Sequence, residues 1–522
     1  MERAHDVVIV GGGHNALVAA AYLATAGLRV VVLERLDHFG GAAVSQRPWP
    51  GVDARLSRYA YLVSLLPQQV VRDLGLRIRL APRRYASYTP DPDQPGRGLL
   101  IDTADRRATA AGFGRVLGDA TEAERFESLG RRLRRLAALV FPTLTEPLPA
   151  AGDLRRRLGD DALWQGVVER PLGELVREAL RTDLARGLVL TDGLIGTFAA
   201  ADDPGLAQNR CFLYHVIGGG TGDWLVPVGG MGAVSAELET AARAAGADLR
   251  AGTEVASVTP DGEVGLVDGT RLHGRLVLSG VGPQVLAGLL RAGGGRPEPQ
   301  PEPEGAQLKV NLLVRRLPRL RDPGVAPEAA FSGTFHVHET MSQLDRAYHA
   351  AAAGSLPTPL PLELYCHTLT DPSILGPRLR AAGAHTLTLF GLQVPHRMLD
   401  PADPDGERSR LEAAALASLD SVLAEPIADV LHHAPDGTPC LEARTTHDLA
   451  TELGMTGGAI FHGPLAWPWA DPGSDPGGPA ARWGVATGQP GILYCGAAAR
   501  RGGAVSGVGG HNAARAALEL LR

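Results

Sequence analysis

The opening of the chain admits very few folds. Residues 7–10 form a short apolar run suited to a buried parallel strand. Gly11-Gly12-Gly13 follows, and then an alanine- and leucine-rich helical stretch over 15–26. Gly27 stands where a helix C-cap glycine belongs, and 30–33 reads as a second buried strand. Strand, tight turn, helix and strand in this order make a βαβ unit. Within it, Gly11-x-Gly13-x-x-Ala16 is a dinucleotide fingerprint. Gly11 allows the tight turn, Gly13 lets the backbone approach a pyrophosphate, and Ala16 lets helix and strand pack closely. His14 and Asn15 open the helix, whose free N–H groups and positive dipole end favour phosphate. Glu34 closes the second strand about 20 residues on, where an acid binds ribose hydroxyls.

Composition narrows the setting. With 522 residues the chain can bury more than one core, and 44% hydrophobic with 21% charged residues is ordinary for a soluble globular protein. A net charge of -6 gives no reason to expect a nucleic-acid partner. The four cysteines, Cys211, Cys366, Cys440 and Cys495, are far apart and form no C-x-x-C pair. That argues against a thioredoxin-type disulfide or a zinc knuckle. No signal-peptide pattern precedes the first strand, and no apolar run approaches the ~20 residues of a membrane helix. A cytoplasmic protein is the expectation, with peripheral membrane contact left open.

From about 105 to 200 the chain reads as helical, with arginine recurring beside leucine and alanine at 3–4 spacing. Arg131, Arg132, Arg134 and Arg135 suit a solvated helix face; the sharper alternative is a patch for an acidic partner or a membrane surface. A second α/β segment begins near 225, with a helix over 233–245 ended by Gly246. Strands are expected around 254–259, 264–267 and 276–278, and Asp268-Gly269 marks a hairpin turn. The stretches 293–305 and 471–479 read as exposed linkers. Alternating runs at 307–314 and 333–338 suggest a further sheet.

A wider pattern joins these pieces. Glu34-Arg35 is followed by Gly40-Gly41-Ala42-Ala43, which resembles the flavoprotein superfamily of amine oxidases and phytoene desaturases. Pro50-Gly51, Ser57-Arg58 and Tyr61-Leu62-Val63-Ser64 are similar to the phytoene-desaturase-like branch, and most of all to its pyridine nucleotide-disulphide oxidoreductase domain-containing proteins. The same family likeness continues through Tyr214-His215-Val216, Lys309-Val310-Asn311, residues 457–463, and Gly496 with Gly502 to Gly507 and Asn512. Arg500-Arg501 departs from the family, which has histidine and proline there. The resemblance implies FAD and an α/β fold: a discontinuous Rossmann-type FAD-binding domain over 1–75, 225–290 and 485–522. An α+β substrate domain over 76–224 and 291–484 is inserted in it, helical in its first part. It also implies an oxidoreductase that dehydrogenates a C–C or C–N bond of a mainly apolar small molecule by hydride transfer to flavin N5. A redox-neutral flavin isomerase or saturase and a non-catalytic flavin-binding scaffold are the alternatives. Without a cysteine pair or a second fingerprint, disulfide reduction is not expected.

The resemblance assigns cofactor contacts to Gly11, Gly13, His14, Asn15, Ala16, Glu34, Arg35, Gly40, Gly41, Ala42, Ala43, Val255, Gly280, Gly496, Val505, Ser506 and Gly507. Lys309 is the single lysine of an arginine-rich chain, and a compact, titratable ammonium is the reason to retain one. Period two places Gln307, Lys309 and Asn311 on one strand face, either toward a substrate cavity or on a surface edge strand. His215 and His462 are candidate proton carriers in glycine-flanked segments. Tyr59 and Tyr61 follow the double glycine, and with Asn311, His336 and His338 they are candidate substrate contacts. His336 and His338 share a face at strand spacing, but no third ligand is evident nearby and no metal is expected.

Overall fold

The computed structural model describes residues 5–471, 473 and 477–522. The first four residues, and positions 472 and 474–476 of the linker expected at 471–479, lie outside the described residues.

Two sheets organise the α/β chain. Strand His5–Val10 runs parallel to Val30–Leu33 on one side and to Arg271–Ser279 on the other. Asp248–Arg250 extends the sheet past Val30–Leu33, and Ile492–Tyr494 joins in parallel to Arg271–Ser279. Its strands come from three distant stretches, so this sheet is completed only when the end of the chain returns. Alternate residues of the first strand point to opposite faces. Val7 and Ile9 pack with Leu17, Leu238 and Ala513 of three helices, while Val8 and Val10 meet Leu286 and Leu290 of helix Pro283–Ala292. The hairpin expected at Asp268-Gly269 is present, with Gly269 at φ +87.

The helix after the fingerprint, His14–Thr25, lies directly against the last helix, Val508–Leu520. Glycine makes this approach possible: a Cβ on Gly510 would stand 1.9 Å from the carbonyl oxygen of Asn15.

The second sheet has the order Leu441–Arg444, Gln307–Val314, His385–Leu392, Leu362–Tyr365, Thr334–Val337, Tyr85–Pro90, Gly98–Asp102. All neighbours are antiparallel except Thr334–Val337 with Tyr85–Pro90. Strand Gln307–Val314 is interior and buried along its whole length, which excludes the edge-strand position for Lys309. Leu308, Val310 and Leu312 face a core with Phe335, Leu411 and Leu419.

The expected helical region is present as Arg106–Leu117, Thr121–Val140, Ala151–Leu158, Leu172–Ala179 and Asp183–Leu190, with shorter turns between. Its amphipathic helices pack around Leu136, Trp164, Val176 and Phe212, and this core reaches Phe390 and Leu392 of the second sheet. The arginine face is paired within the molecule: Arg132 and Arg135 both bond Asp160, and Arg131 and Arg134 meet Glu127.

Candidate active site

One cavity of about 890 Å³ runs from the fingerprint loop to the inward face of the second sheet. At its first end, Gly13 caps helix His14–Thr25 without a side-chain cap bond, and the first turn holds no acid. The N-terminal N–H groups are therefore available to an anion. A Cβ on Gly13 would meet nothing within 4 Å, so this glycine borders open space. Gly12 is the opposite case: its Cβ would stand 2.5 Å from Phe39 Cδ1, so the turn is closed from behind by an aromatic ring. The Glu34 carboxylate accepts from Gly12 N at 2.6 Å and from Leu36 N at 2.9 Å, which fixes its place on the cavity wall.

The double glycine crosses this loop. Gly40 N donates to Gly12 O at 2.9 Å, and a Cβ on Gly41, at φ +59, would stand 3.3 Å from Gly13 Cα. Gly41 and Ala42 line the cavity; Gly40 and Ala43 support it from behind through Ser235, whose hydroxyl donates to the Ala43 carbonyl. Val255, Gly280, Gly496 and Val505 complete this wall, with Arg35, His14, Asn15 and Ala16. His14 Nε2 donates to Ala504 O at 3.2 Å, and burial pushes its pKa down to about 4. Ser506 and Gly507 do not reach the cavity. Ser506 Oγ accepts from Val508 N at the start of the last helix, and Gly507, at φ +73, packs against Val18 and Val70.

The cradle fits a dinucleotide. It has an uncapped helix N-terminus, a glycine facing open space, and a buried acid, which together match phosphate and ribose chemistry. The residues that would hold FAD are Gly11, Gly13, His14, Asn15, Glu34, Gly41, Ala42, Val255, Gly280, Gly496 and Val505.

At the other end, cross-strand pairing sets five side chains in one row. Arg444 pairs with Lys309, Lys309 with Phe390, Phe390 with Glu363, and Glu363 with His336. Paired residues share a sheet face, and all five line the cavity. Lys309 is 5% exposed; its Nζ donates to Ser57 O at 2.8 Å and to Tyr59 O at 2.5 Å, and lies 4.6 Å from the Tyr61 ring centre. Burial holds the Lys309 pKa well below the usual lysine range. Tyr59 and Tyr61 both line the cavity; the Tyr59 hydroxyl donates to Glu452, and the Tyr61 ring packs 4.8 Å from that of Tyr365.

His215 and His462 reach the same cavity from different elements. His215, in helix Ala207–Val216, stacks on Trp224 at 5.0 Å and bonds Cys211 O through Nδ1 at 3.0 Å. His462 adopts φ +60, which a non-glycine residue seldom does, and its buried Nδ1 has no partner among the described residues. Burial pushes both histidines down to about 4, so both are neutral at pH 7.

Two expected substrate contacts lie elsewhere. Asn311 shares the Lys309 face, but its amide donates to Arg58 O and accepts from Thr388 Oγ1, and it does not line the cavity. His338 does not share a face with His336, because the strand ends at Val337 and His338 turns off at φ +57. Its ring bonds Ser421 and Gln343 instead. The expected His336–His338 pair is therefore absent, and His336 is grouped instead with two acids: donor atoms of His336, Glu339 and Glu363 lie within 4.8 Å of one another. Arg83, Asp192, Trp224, Glu363, Tyr365 and Phe390 also line the cavity, and no sequence motif marked them. Arg500 and Arg501 lie outside it: Arg501 is 2% exposed and donates to Thr143 O and Trp483 O, and Arg500 pairs with Asp471.

Comparison with known proteins gives the family and the fold. A family model for an NAD(P)-binding Rossmann-like domain matches residues 9–74. An uncharacterised protein of Mycobacterium tuberculosis is 54% identical, covering 100% of this chain and 98% of its own. Pyridine nucleotide-disulfide oxidoreductase domain-containing protein 2 of Rattus norvegicus is 30% identical, covering 99% of this chain and 94% of its own. Among solved structures, a putrescine oxidase variant superposes with a TM-score of 0.56 at 18% identity, covering 99% of this chain and 98% of its own. Cyclohexylamine oxidase from Brevibacterium oxydans IH-35A gives a TM-score of 0.56 at 16% identity and full coverage of both chains. At these identities the structural likeness establishes the fold.

Proposed function

The chain belongs to the family of the pyridine nucleotide-disulfide oxidoreductase domain-containing proteins, and from that premise we propose an FAD-dependent oxidoreductase that dehydrogenates a C–C or C–N bond of a small molecule. The observation that carries this reading is one continuous cavity, lined by the fingerprint at one end and by the Lys309 row at the other. The family name does not imply disulfide reduction here, because all four cysteines are buried and unpaired. The buried thiols also suit a reducing cytoplasmic setting. No helix among the described residues is long and apolar enough to cross a membrane.

When bound, FAD supplies the two-electron acceptor for a hydride from carbon. The chain supplies position, dryness and proton acceptors. Phe126, Leu188, Ile195, Phe390, Ile460 and Phe461 line the cavity with apolar surface and exclude water from the reacting bond. Lys309, held toward its neutral form, offers a nitrogen lone pair to the one proton released as the hydride leaves. His215 and His462, neutral at pH 7, offer two further acceptors on the same cavity.

The test is purification followed by a visible spectrum and anaerobic mixing with a panel of amines, alcohols and unsaturated hydrocarbons. Retained flavin that bleaches stoichiometrically with one substrate class is the expected result. Turnover without net bleaching assigns the redox-neutral isomerase instead, and protein that retains no flavin after reconstitution overturns the cofactor assignment.

A further inference from the structure

The far end of the Lys309 row carries more acid than the dehydrogenation requires. Glu363 occupies the row itself, Asp192 reaches the cavity from the turn Thr191–Gly193, and Glu339 lies behind His336. Thr191 Oγ1 donates to Glu339 Oε2 at 3.0 Å, His336 Nδ1 bonds the same oxygen at 2.5 Å, and the Tyr365 hydroxyl donates to Glu363 Oε2 at 2.6 Å. Two acceptors are left over. The Glu339 side chain is fully buried, yet its Oε1 has no partner. Among the described residues nothing donates to the Asp192 carboxylate, which faces the cavity.

Among the described residues no guanidinium or ammonium is paired with these acids. Three carboxyl groups face one guanidinium, that of Arg83, whose donors go to Trp224 O and Thr334 Oγ1 and not to any of the three. His336 adds no positive charge, since burial pushes it down to about 4. Burial and mutual repulsion raise Asp192 to about 8 and Glu363 to about 7. These acids are therefore held toward their neutral form, and a cation arriving from the cavity would favour their ionised form.

We propose that Asp192 and Glu363, with Glu339 buried behind them, form a subsite for a protonated amine on the substrate, which anchors it and is not itself the reacting group. The strand row gives the spacing. Two strand intervals separate Lys309 from Glu363, about 10 Å at the usual sheet spacing, and the wall between them is the Phe390 ring. The substrate class is therefore an alkyl or aryl chain with an ammonium at one end and the bond to be oxidised at the other. Placing the reacting bond near Lys309 rests on the function proposed above, whereas the subsite is measured by binding alone.

Calorimetric titration with n-octylammonium chloride tests it, with n-octanol as the uncharged control. Saturable binding of the ammonium, at least tenfold tighter than the alcohol, is expected. Glu363→Gln and Asp192→Asn should each weaken the ammonium at least tenfold and leave octanol binding and FAD retention unchanged. Asp192→Asn alters a carboxylate with no hydrogen bonds, so it carries the test if Glu363→Gln does not fold. Equal affinity for ammonium and alcohol overturns the proposal, and so does unchanged ammonium affinity in the folded variants. Manganese(II) is the third arm: stoichiometric displacement of the ammonium by the metal assigns His336, Glu339 and Glu363 to a metal and also overturns it. Calorimetry reads the subsite with or without bound FAD, so loss of the flavin assignment would be seen separately.

Discussion

At the scale of single residues, the lysine is the sharpest case. A chain that uses arginine at every other basic position keeps one primary amine, and it stands on an interior strand facing the cavity. Arginine could not take over the proton-accepting role proposed for it, because a guanidinium does not lose its proton. Lys309→Met should retain FAD, slow flavin reduction at least tenfold, and lower stability by about 1–3 kcal/mol because the Ser57 and Tyr59 carbonyls lose their donor. Rapid mixing and a thermal melt read the two effects separately; undiminished reduction with bound FAD would remove Lys309 from the chemistry. The pH profile gives a second reading. Burial lowers the lysine pKa, so the wild-type rate should rise with pH along a limb well below the ordinary lysine range, and Lys309→Met should lose that limb.

Elements differ in how far they could be read from sequence. The fingerprint is local: Gly11, Gly13, Ala16 and Glu34 all lie within one βαβ unit, so their pattern was legible, although Phe39, Gly40 and Gly41 close the loop from outside it. The far half of the cavity is assembled by register. His336, Glu363, Phe390, Lys309 and Arg444 come from five strands, and only pairing across the sheet sets them in a row. Spacing along one strand suggested Asn311 and His338 for the same face. Asn311 is drawn off by Arg58 and Thr388, and His338 leaves the strand after Val337. Asp192 sits in a short turn with no motif around it. Ser506 and Gly507 carried a real signal of a different kind, since they start the last helix rather than touch the cavity. Where that helix crosses His14–Thr25 the backbones touch, so Gly510→Val should cost at least about 3 kcal/mol by overpacking. A denaturant melt checks it, and a loss under about 1 kcal/mol would mean that the helices separate easily.

The helical region adds a prediction about pH. Asp160 joins two helices: its carboxylate accepts from Arg132 Nε at 2.9 Å and from Arg135 Nη2 at 2.8 Å, and it caps the turn Asp161–Trp164. The Arg132 hydrogen bond is the largest cause of its pKa falling to about 2. A folded-state pKa below the unfolded value means that the contribution is present above pH 4 and fades as pH falls toward 2. Asp160→Asn should therefore lose about 2 kcal/mol near pH 7, and the gap to wild type should close progressively in acid. Parallel melts at pH 7 and pH 3 test the sign, and a gap that widens in acid would contradict it.

The whole molecule is joined through its cavity. One wall belongs to the sheet that gathers residues 5–33, 248–279 and 492–494, and the other to the sheet that runs from Leu441–Arg444 to Gly98–Asp102. Direct covalent links between the two sheets are few, so a ligand that touches both walls stabilises the molecule as a unit. FAD at a hundred times its dissociation constant should add about 2.7 kcal/mol to unfolding. The shift should appear in one transition that moves with FAD concentration, not in a low-melting part that stays fixed. Gly13→Glu fills the open side of the fingerprint with an acid where phosphate is expected, so it should remove the FAD-dependent shift while the rest of the molecule still folds. Calorimetry at several FAD concentrations measures both. Two separate transitions, only one of which responds to FAD, would show that the sheets unfold independently, and the cavity would then lie between two loosely coupled halves. The closing strand argues for coupling: Ile492–Tyr494 pairs with Arg271–Ser279, and the helix after it lies on the fingerprint helix, so the first sheet is completed by residues that follow the whole second sheet in the chain.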